Sequence, residues 1–460
     1  MLDVRVLATA RRFVVVAMLG ACAAAHADPA ARLDFDAARH LLVRTGFGPT
    51  LAEVDALVGR SREDAVDAIL ASARSEPFVS PPAWTATLPA AEERPHPGMS
   101  ADERKAYRAR ERAALVDLRG WWMTEMRETP SPLTERMTLF WHNHFATGVQ
   151  KVRDPRLMYA QNALLRREAL GNFSRLLHGI ARDPAMLIWL DGGRNRDGAP
   201  NENFAREVME LFTLGEGHYT QADVADAARA FTGFGVDRAH ERAVFHPRLH
   251  DDGAKRILGA DGNFGADGAL DVLLAQPQAA TFIVTKLWRE FVSPTPDARE
   301  VERVANAFRA SGYDIKVALR ALLLSDAFWD PQNRGTLVKS PVELVVGALR
   351  MLPHDVAGTR AIVAATARMG EVLFAPPNVR GWPGGDAWIN TATLAVRQQF
   401  LARATRTSTM AMMVPTQAGT LERLLLPLPP AGDAVSEALA EREPAGVIRA
   451  AMLDPVYELK

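Results

Sequence analysis

The chain has 460 residues, of which 48% are hydrophobic and 24% charged, and its formal net charge at pH 7 is −1. These values are typical of a globular protein long enough to bury a large core. A near-neutral charge provides no basic surface for DNA or RNA, so we expect no nucleic-acid partner.

An export signal is predicted at the start of the chain. It has a basic beginning, an apolar run and small residues at a cleavage point, in the order Arg5, Arg11 and Arg12, residues 13–21, and Ala25-His26-Ala27. The apolar run is too short to cross a bilayer, and no later stretch is long and apolar enough to do so. We therefore expect a signal peptide over residues 1–27, no transmembrane span, and a periplasmic or extracellular protein.

Cys22 leaves an alternative open, because Leu19-Gly20-Ala21-Cys22 resembles a lipoprotein cleavage box. An acylated Cys22 would anchor the protein to a membrane without spanning it. Cleavage after Ala27 would instead remove the only cysteine of the chain. Disulfides, a thiol nucleophile and a zinc–thiolate site would then be excluded, and any site would consist of histidine, carboxylate and arginine.

Apolar residues at helical spacing dominate the rest of the chain and predict an all-α fold, an irregular multi-helix array with long loops and at most a small hairpin. Helices are predicted at residues 101–127, 132–142, 155–169, 173–181, 201–214, 221–231, 269–274, 278–291, 297–311, 315–325, 340–349 and 360–370. The hairpin is predicted within residues 231–245. We expect one large domain over residues 28–460, with a proline-rich loop or linker at 75–100 that Trp84 pins to the surface.

The first candidate cluster is Trp141-His142-Asn143-His144-Phe145, at the end of an apolar helix. Paired histidines suggest a metal site, but residues two apart on an α-helix point to different sides. His142 and His144 could share one ion only if the helix unwinds there. The alternative is that each histidine forms hydrogen bonds in the core, and both interpretations stay open.

The second cluster lies on the helix that Asn201 is expected to cap. Asn203, Glu207 and Glu210 share one face of that helix, beside an apolar stripe. In the structural interpretation, Arg206 pairs with Glu202 and Glu210 at four-residue spacing. In the functional one, Glu207 and Glu210 face His142 or His144 as oxygen ligands of a metal or as an acid/base pair.

A third cluster is the proline- and glycine-rich segment 376–390, which contains Arg380 and Trp382. Arginine and tryptophan are frequent ligand contacts in such loops, through stacking and cation–π interactions. Tryptophan can equally seal a core beneath a stiff loop, and the sequence does not decide between the two.

Five segments together resemble one bacterial family, catalogued as domain of unknown function 1800. They are residues 41–49, 139–145, 201–207, 286–288 and 376–385. The resemblance implies a large extracytoplasmic helical domain. Genes of this family often neighbour a second exported family of sulfatase-like type, which implies a co-encoded partner. The resemblance implies no established activity, cofactor or catalytic residue.

Two hypotheses follow. The first is an exported, metal-dependent hydrolase of an envelope or extracellular polymer, in which a divalent ion is bound by His142, His144 and Glu207. The predicted catalytic groups are His144, Glu207 and Glu210, and the groups expected to position substrate are Asn203, Arg380 and Trp382. The second is a non-catalytic scaffold or assembly partner of the sulfatase-like protein, with the same residues forming a buried hydrogen-bond network.

Overall fold

The computed structural model describes residues 28–88, 96–352, 358–406 and 418–460. The predicted signal peptide, with Cys22, lies outside these residues, and so does part of the predicted proline-rich loop, residues 89–95. None of the helices in the described ranges is long and apolar enough to cross a membrane.

The predicted all-α fold is confirmed: the described residues form 22 α-helices and only two small two-stranded sheets. The helices of the first half are α1 Phe35–Thr45, α2 Leu51–Leu57, α3 Arg62–Ala71, α4 Ala101–Glu128, α5 Pro132–His144, α6 Val149–Val152, α7 Pro155–Glu168, α8 Phe173–Ala181, α9 Pro184–Trp189, α10 Glu202–Glu207 and α11 Gln221–Ala230. Those of the second half are α12 Ala266–Ala275, α13 Pro277–Phe291, α14 Ala298–Ala310, α15 Ile315–Leu323, α16 Asp326–Trp329, α17 Pro341–Met351, α18 Thr359–Arg368, α19 Thr391–Ala404, α20 Ala418–Leu425, α21 Ala434–Glu441 and α22 Pro444–Leu453.

The predicted hairpin is present as β1 (Phe234–Asp237) and β2 (Arg242–Phe245), paired antiparallel with Phe234 opposite Phe245. A second hairpin, β3 (Lys255–Ile257) with β4 (Ala260–Gly262), was not predicted. Its two-residue turn, Leu258-Gly259, has positive φ at both positions, which is the geometry of the tightest hairpins. Three-residue strands are too short for alternation of apolar and polar residues to reveal them.

One predicted helix changes character part-way. The predicted helix over 201–214 is α-helical only as far as Glu207, and a π-helix covers Val208–Thr213. Asn201 caps this helix as predicted, because its side chain accepts a hydrogen bond from the Asn203 amide (3.0 Å). A π-turn contains one residue more than an α-turn, so the side chains after Glu207 are rotated from their expected positions.

Two apolar clusters form the core. The first lies mainly between α1–α3, α5 and α7–α16, and the second mainly between α4 and α17–α22. Trp189 and Met351 pack against both clusters. The extent of one domain over residues 28–460 stays a prediction.

The described part of the proline-rich segment runs along α4. Glu125 accepts hydrogen bonds from the amides of Phe78 (2.9 Å) and Val79 (2.6 Å). The Trp84 indole donates to Asp117 (3.0 Å), also on α4. Trp84, the residue predicted to hold the segment to the surface, thus attaches it to α4.

Candidate functional site

His142 lies in an aromatic box at the end of α5. The residue is 1% exposed, and its ring packs against those of Trp122, Phe374 and Trp382 at centroid distances of 5.3, 5.3 and 5.7 Å. Its Nε2 accepts a hydrogen bond from the Phe374 amide (3.1 Å). Burial lowers the pKa of His142 to about 3, so the ring is neutral. This is the core-bonded alternative that the sequence left open.

His144 points to the other side of α5 and contacts α13 and the π-helix. The Lys286 ammonium donates to its Nδ1 (3.0 Å), which leaves Nε2–H to donate to the Phe212 carbonyl (3.2 Å). Lys286 also donates to the Leu211 carbonyl (3.0 Å). Burial and the Lys286 charge hold the pKa of His144 well below its usual value.

Two backbone carbonyls are available to these side chains because they lie in the last turn of the π-helix, where carbonyls have no partner within the helix. In the π-turn the Leu214 amide bonds to Met209 (2.8 Å), and the Thr213 hydroxyl donates to Val208 (2.7 Å). The carbonyls of Leu211 and Phe212, near the end of the turn, accept Lys286 and His144 instead. Such π-turns are frequent at functional sites.

Lys286 was not predicted as a site residue. Burial, and then the charge of Arg289, lowers its pKa to about 7. It lies 142 positions from His144 in the chain, so no local spacing could have paired them. In the sequence it stood out only as part of segment 286–288, one of the five segments of the family resemblance.

Glu210 and Arg380 are brought together, although they come from different predicted clusters. Arg380 donates to Oε1 of Glu210 (2.6 Å) and to Glu216 (3.1 Å), and Tyr219 donates to Oε2 of Glu210 (2.8 Å). The expected pairing of Glu210 with Arg206 is therefore replaced, because the π-turn rotates Glu210 away from its α-helical position.

Arg206 keeps its other expected partner, Glu202 (3.1 Å), and also donates to Gln221 (2.7 Å). Glu207, one position further along the helix, is partly buried. Burial and the neighbouring Glu210 charge raise its pKa, which favours the protonated acid.

Asn143 fastens the Arg380 loop to α5. Its Oδ1 accepts from the Trp382 amide (2.7 Å), and its Nδ2 donates to the Trp382 carbonyl (3.4 Å). Gly381 allows this approach: its φ is +79°, and a Cβ there would lie 2.1 Å from Asn143 Oδ1. In the sequence, Asn143 stands out only as the middle residue of the His142-Asn143-His144 segment.

The residues expected to position substrate differ in exposure. Trp382 is 6% exposed and packs on His142, so its side chain lies in the core. The Arg380 side chain is 60% exposed. Asn203 is exposed and donates to the Leu190 carbonyl (3.2 Å).

The structure does not bring the predicted metal ligands together around one position. Within the described ranges, no group of three or more His, Cys, Asp or Glu side chains is arranged to hold a metal ion. Helix α5 continues to His144 without unwinding, so His142 and His144 point to different sides, as the helical geometry requires. A metal-ligand role for His142, His144 and Glu207 stays a prediction for which the structure offers no assembled ligand set.

The family model described as "Protein of unknown function (DUF1800)" matches residues 40–454. The chain belongs to the DUF1800 family. No curated protein and no solved structure matches it. All the candidate site residues of this DUF1800 chain lie within the matched range, and so does Lys286.

Two polar networks therefore meet at the α10–π-helix segment of the DUF1800 domain. One is buried and joins His144 and Lys286 to backbone carbonyls. The other reaches the surface and joins Glu210 to Arg380 and Tyr219. The buried network fixes the backbone, while the surface network presents carboxylates that can exchange protons with a bound molecule.

Proposed function

We propose that this DUF1800 protein is an exported hydrolase of an envelope or extracellular glycan, with Glu207 and Glu210 as a metal-independent acid/base pair. The carrying observation is the difference between the two carboxyl groups. Burial and a neighbouring negative charge raise the pKa of Glu207, whereas Glu210 accepts hydrogen bonds from Arg380 and Tyr219. Neighbouring carboxyl groups in unlike environments are typical of glycoside hydrolysis.

In this proposal Glu207 is the general acid and Glu210 the general base. Glu207 donates its proton to the oxygen of the leaving sugar as the glycosidic bond breaks. Glu210 takes a proton from water, whose oxygen forms the new bond to the sugar carbon. The products are two shorter glycans, and proton exchange with solvent restores both carboxyl groups.

The surroundings of the pair suit a polymer. Arg380 and Asn203 are exposed beside it, so they can donate hydrogen bonds to sugar hydroxyls on an open surface. The Trp382 backbone amide fixes the loop that carries Arg380 to the side chain of Asn143. The predicted signal peptide would deliver the protein to the compartment where such polymers occur.

The scaffold remains the second candidate, and the His-Asn-His segment favours it. His142, Asn143 and His144 each bond to a backbone group of a distant segment, as expected for residues that hold a fold together. In this case the exposed Arg380–Glu216 pair would be part of a surface that binds the co-encoded sulfatase-like protein.

The test compares wild-type protein with Glu207→Gln and Glu210→Gln on purified cell-wall glycan and extracellular polysaccharide, measuring new reducing ends. Loss of a general acid or base costs about 10²- to 10⁴-fold in rate, so both variants should be nearly inactive. The matched control is Glu202→Gln, on the same helix and 40% exposed, which should retain activity. Absence of product from wild-type protein, with a stable complex with the sulfatase-like protein, would establish the scaffold instead.

A further inference from the structure

The first half of α4 presents a row of positive charges to solvent. The side chains of Arg104, Lys105, Arg108 and Arg112 are all exposed. At 3.6 residues per turn, these four residues lie within an arc of about 100° and extend over about 12 Å of the helix axis. They therefore share one face of α4, and we call these four residues the α4 stripe.

The charges of the α4 stripe have no carboxylate partner in the part of the chain that the structure describes. Lys105, Arg108 and Arg112 form no hydrogen bond or ion pair with any described residue. Arg104 donates to a neutral group, the Met99 carbonyl. Like charges four residues apart on a helix repel each other and destabilise it. An anionic partner along the stripe would relieve this repulsion.

The acidic residues in the same half of α4 do not neutralise the stripe. Glu103 belongs to the capping box of the helix, and its carboxylate accepts a hydrogen bond from the Ser100 amide (2.7 Å). Glu111 is partly buried, and burial followed by the charge of Asp154 raises its pKa to about 7. Asp102 lies about 60° beyond the edge of the stripe around the helix. The stripe therefore keeps an excess of positive charge.

The second half of α4 holds the stripe in a fixed position. Leu118, Trp122 and Met126 are fully buried in the second apolar cluster. The stripe is thus the exposed continuation of a helix that is anchored in the core. Because its backbone is already ordered, a partner that binds there does not have to pay for ordering a loop.

The stripe has the chemistry of a site for a linear polymer that carries carboxylates. Among residues 101–112, Ala101 is the only other residue within the arc, so the stripe lacks the apolar face with which helices enter a membrane surface. Arg104, Arg108 and Arg112 follow one another at about 6 Å along the axis, close to the length of one sugar unit in an extended glycan. Guanidinium groups also match the geometry of carboxylates.

We propose that the α4 stripe binds a carboxylated glycan, a chain of uronic acid units whose carboxylates contact Arg104, Arg108 and Arg112. This inference rests on the proposed function and deepens it, because it makes an acidic glycan the substrate class and α4 the surface that retains the polymer. Binding and cleavage are measured separately, so either proposal can fail without the other.

The first test is calorimetric titration of the Glu207→Gln protein, which should not cleave the polymer, with polygalacturonate. Neutral dextran of the same length and phosphatidylglycerol vesicles are the comparison probes. Polygalacturonate should bind, dextran should not, and the affinity for polygalacturonate should fall as salt rises, because exposed charges are screened. Absence of polygalacturonate binding, equal binding of dextran, or tighter binding to the vesicles would overturn the proposal.

Adding Arg108→Gln/Arg112→Gln should weaken polygalacturonate binding roughly threefold to thirtyfold, because two exposed charged contacts are lost. The matched control is Arg299→Gln/Arg309→Gln, which removes the same charge from exposed positions of α14 and should leave the affinity unchanged. Unchanged affinity in Arg108→Gln/Arg112→Gln would contradict the site. An equal loss in both pairs would reveal an effect of net charge alone and would also contradict it.

A second measurement uses wild-type protein and does not depend on a variant that folds. Acetylation of lysines followed by mass spectrometry should show Lys105 protected by polygalacturonate, while Lys316, partly exposed on α15, stays reactive. Equal acetylation of Lys105 with and without the polymer would overturn the proposal.

The release of reducing ends separates this inference from the proposed function. Protection of Lys105 by polygalacturonate, without release of reducing ends by wild-type protein, would support the α4 stripe and count against the hydrolase. Release of reducing ends from polygalacturonate, with unchanged affinity in Arg108→Gln/Arg112→Gln, would support the hydrolase and overturn the α4 stripe.

Discussion

Asn143 and Trp382, which are 239 positions apart in the chain, are joined by two hydrogen bonds between one side chain and one backbone residue. The Trp382 amide donates to Oδ1 of Asn143 at 2.7 Å, and Asn143 Nδ2 donates to the Trp382 carbonyl at 3.4 Å. The loop that carries Arg380 is thereby fixed to the helix that carries both histidines. Glu210, on the neighbouring π-helix, accepts its hydrogen bond from the Arg380 of this loop.

Asn143→Ala should lower the free energy of unfolding by about 1–3 kcal/mol, because it leaves the Trp382 amide without its acceptor. Denaturant unfolding measures the loss. Asn143→Asp keeps an acceptor at the same position and should lose less. An Asn143→Ala variant as stable as wild type would show that the loop is held by other contacts.

Gly381→Ala tests the close approach on the other side of the same contact. The added Cβ would meet Asn143 Oδ1, and alanine is disfavoured at a φ of +79°, so the variant should be destabilised. In the double variant Asn143→Ala/Gly381→Ala the clash with Asn143 Oδ1 is relieved, but the added Cβ still lies 2.6 Å from the Asn143 carbonyl oxygen and the strain at a φ of +79° remains. The combined loss should therefore be smaller than the sum of the two single losses. Strict additivity would contradict the direct contact.

Asp183 should make stability depend on pH in a defined direction. Burial raises its folded-state pKa to about 7, whereas an unfolded aspartate titrates near 4. Between about pH 4 and 7 the folded state binds the proton more tightly, so wild-type stability falls with rising pH by at most about 1.4 kcal/mol per unit from this group. Asp183→Asn, which keeps an acceptor for Met186 and Gln161, should gain on wild type as pH rises through this window.

Asp251 serves as a control, because its pKa shift has the opposite sign to that of Asp183. Hydrogen bonds from Arg229 lower its pKa to about 2, so it stabilises the fold above about pH 4 and that stabilisation is lost as pH falls toward 2. Asp251→Asn should therefore carry a constant penalty between pH 4 and 7 that shrinks below pH 4. If the difference between Asp183→Asn and wild type is equally flat from pH 4 to 7, the proton assigned to Asp183 is absent.

The buried pair Glu135–Arg166 should be costly to break. Both side chains are 1% exposed, with two Arg166–Glu135 hydrogen bonds of 2.6 and 2.9 Å, and Trp122 donates to the same carboxylate (2.8 Å). Arg166→Met should lower the free energy of unfolding by about 3–5 kcal/mol, because it leaves a buried charge without its partner. The exposed pair provides the comparison: Arg303→Met, which breaks the bond to Glu300, should cost about 1 kcal/mol or less. Equal losses would contradict the role assigned to burial.

We expect Arg380 to affect the rate of hydrolysis through its hydrogen bond to Glu210 and not through its hydrogen bond to Glu216. Arg380→Gln removes the donor to Glu210 and should reduce the rate of glycan cleavage by roughly tenfold or more, the effect of losing one charged hydrogen bond. Glu216→Gln, at a side chain that is 72% exposed, removes the other partner and should leave the rate unchanged. A larger effect from Glu216→Gln would assign the pair to a binding surface.

Helix positions could be predicted where periodicity is long. The predicted helices 173–181 and 278–291 match α8 and α13 closely, because each has a continuous apolar stripe. The π-helix could not be predicted, since its side-chain pattern does not differ from that of an α-helix over six residues. The Arg380 partner of Glu210 was missed for a different reason, because it lies 170 positions away in the chain.

The histidines show how much local geometry can decide. Spacing on an intact helix predicts that His142 and His144 diverge, and they do: one contacts Phe374 and the other Lys286. Phe374 lies 232 positions from His142 and Lys286 lies 142 positions from His144, distances that no local pattern covers. Local spacing could therefore argue against a metal site shared by His142 and His144. It could not identify the hydrogen bonds that these side chains form instead.

The metal independence of the proposed acid/base pair can be tested by measuring the release of reducing ends from cell-wall glycan by wild-type protein before and after exhaustive dialysis against a metal chelator. A pair formed by Glu207 and Glu210 needs no ion, so we expect the same rate in both samples and near-complete loss in Glu207→Gln. A rate that disappears on chelation and returns with an added divalent cation would contradict it and support a metal centre.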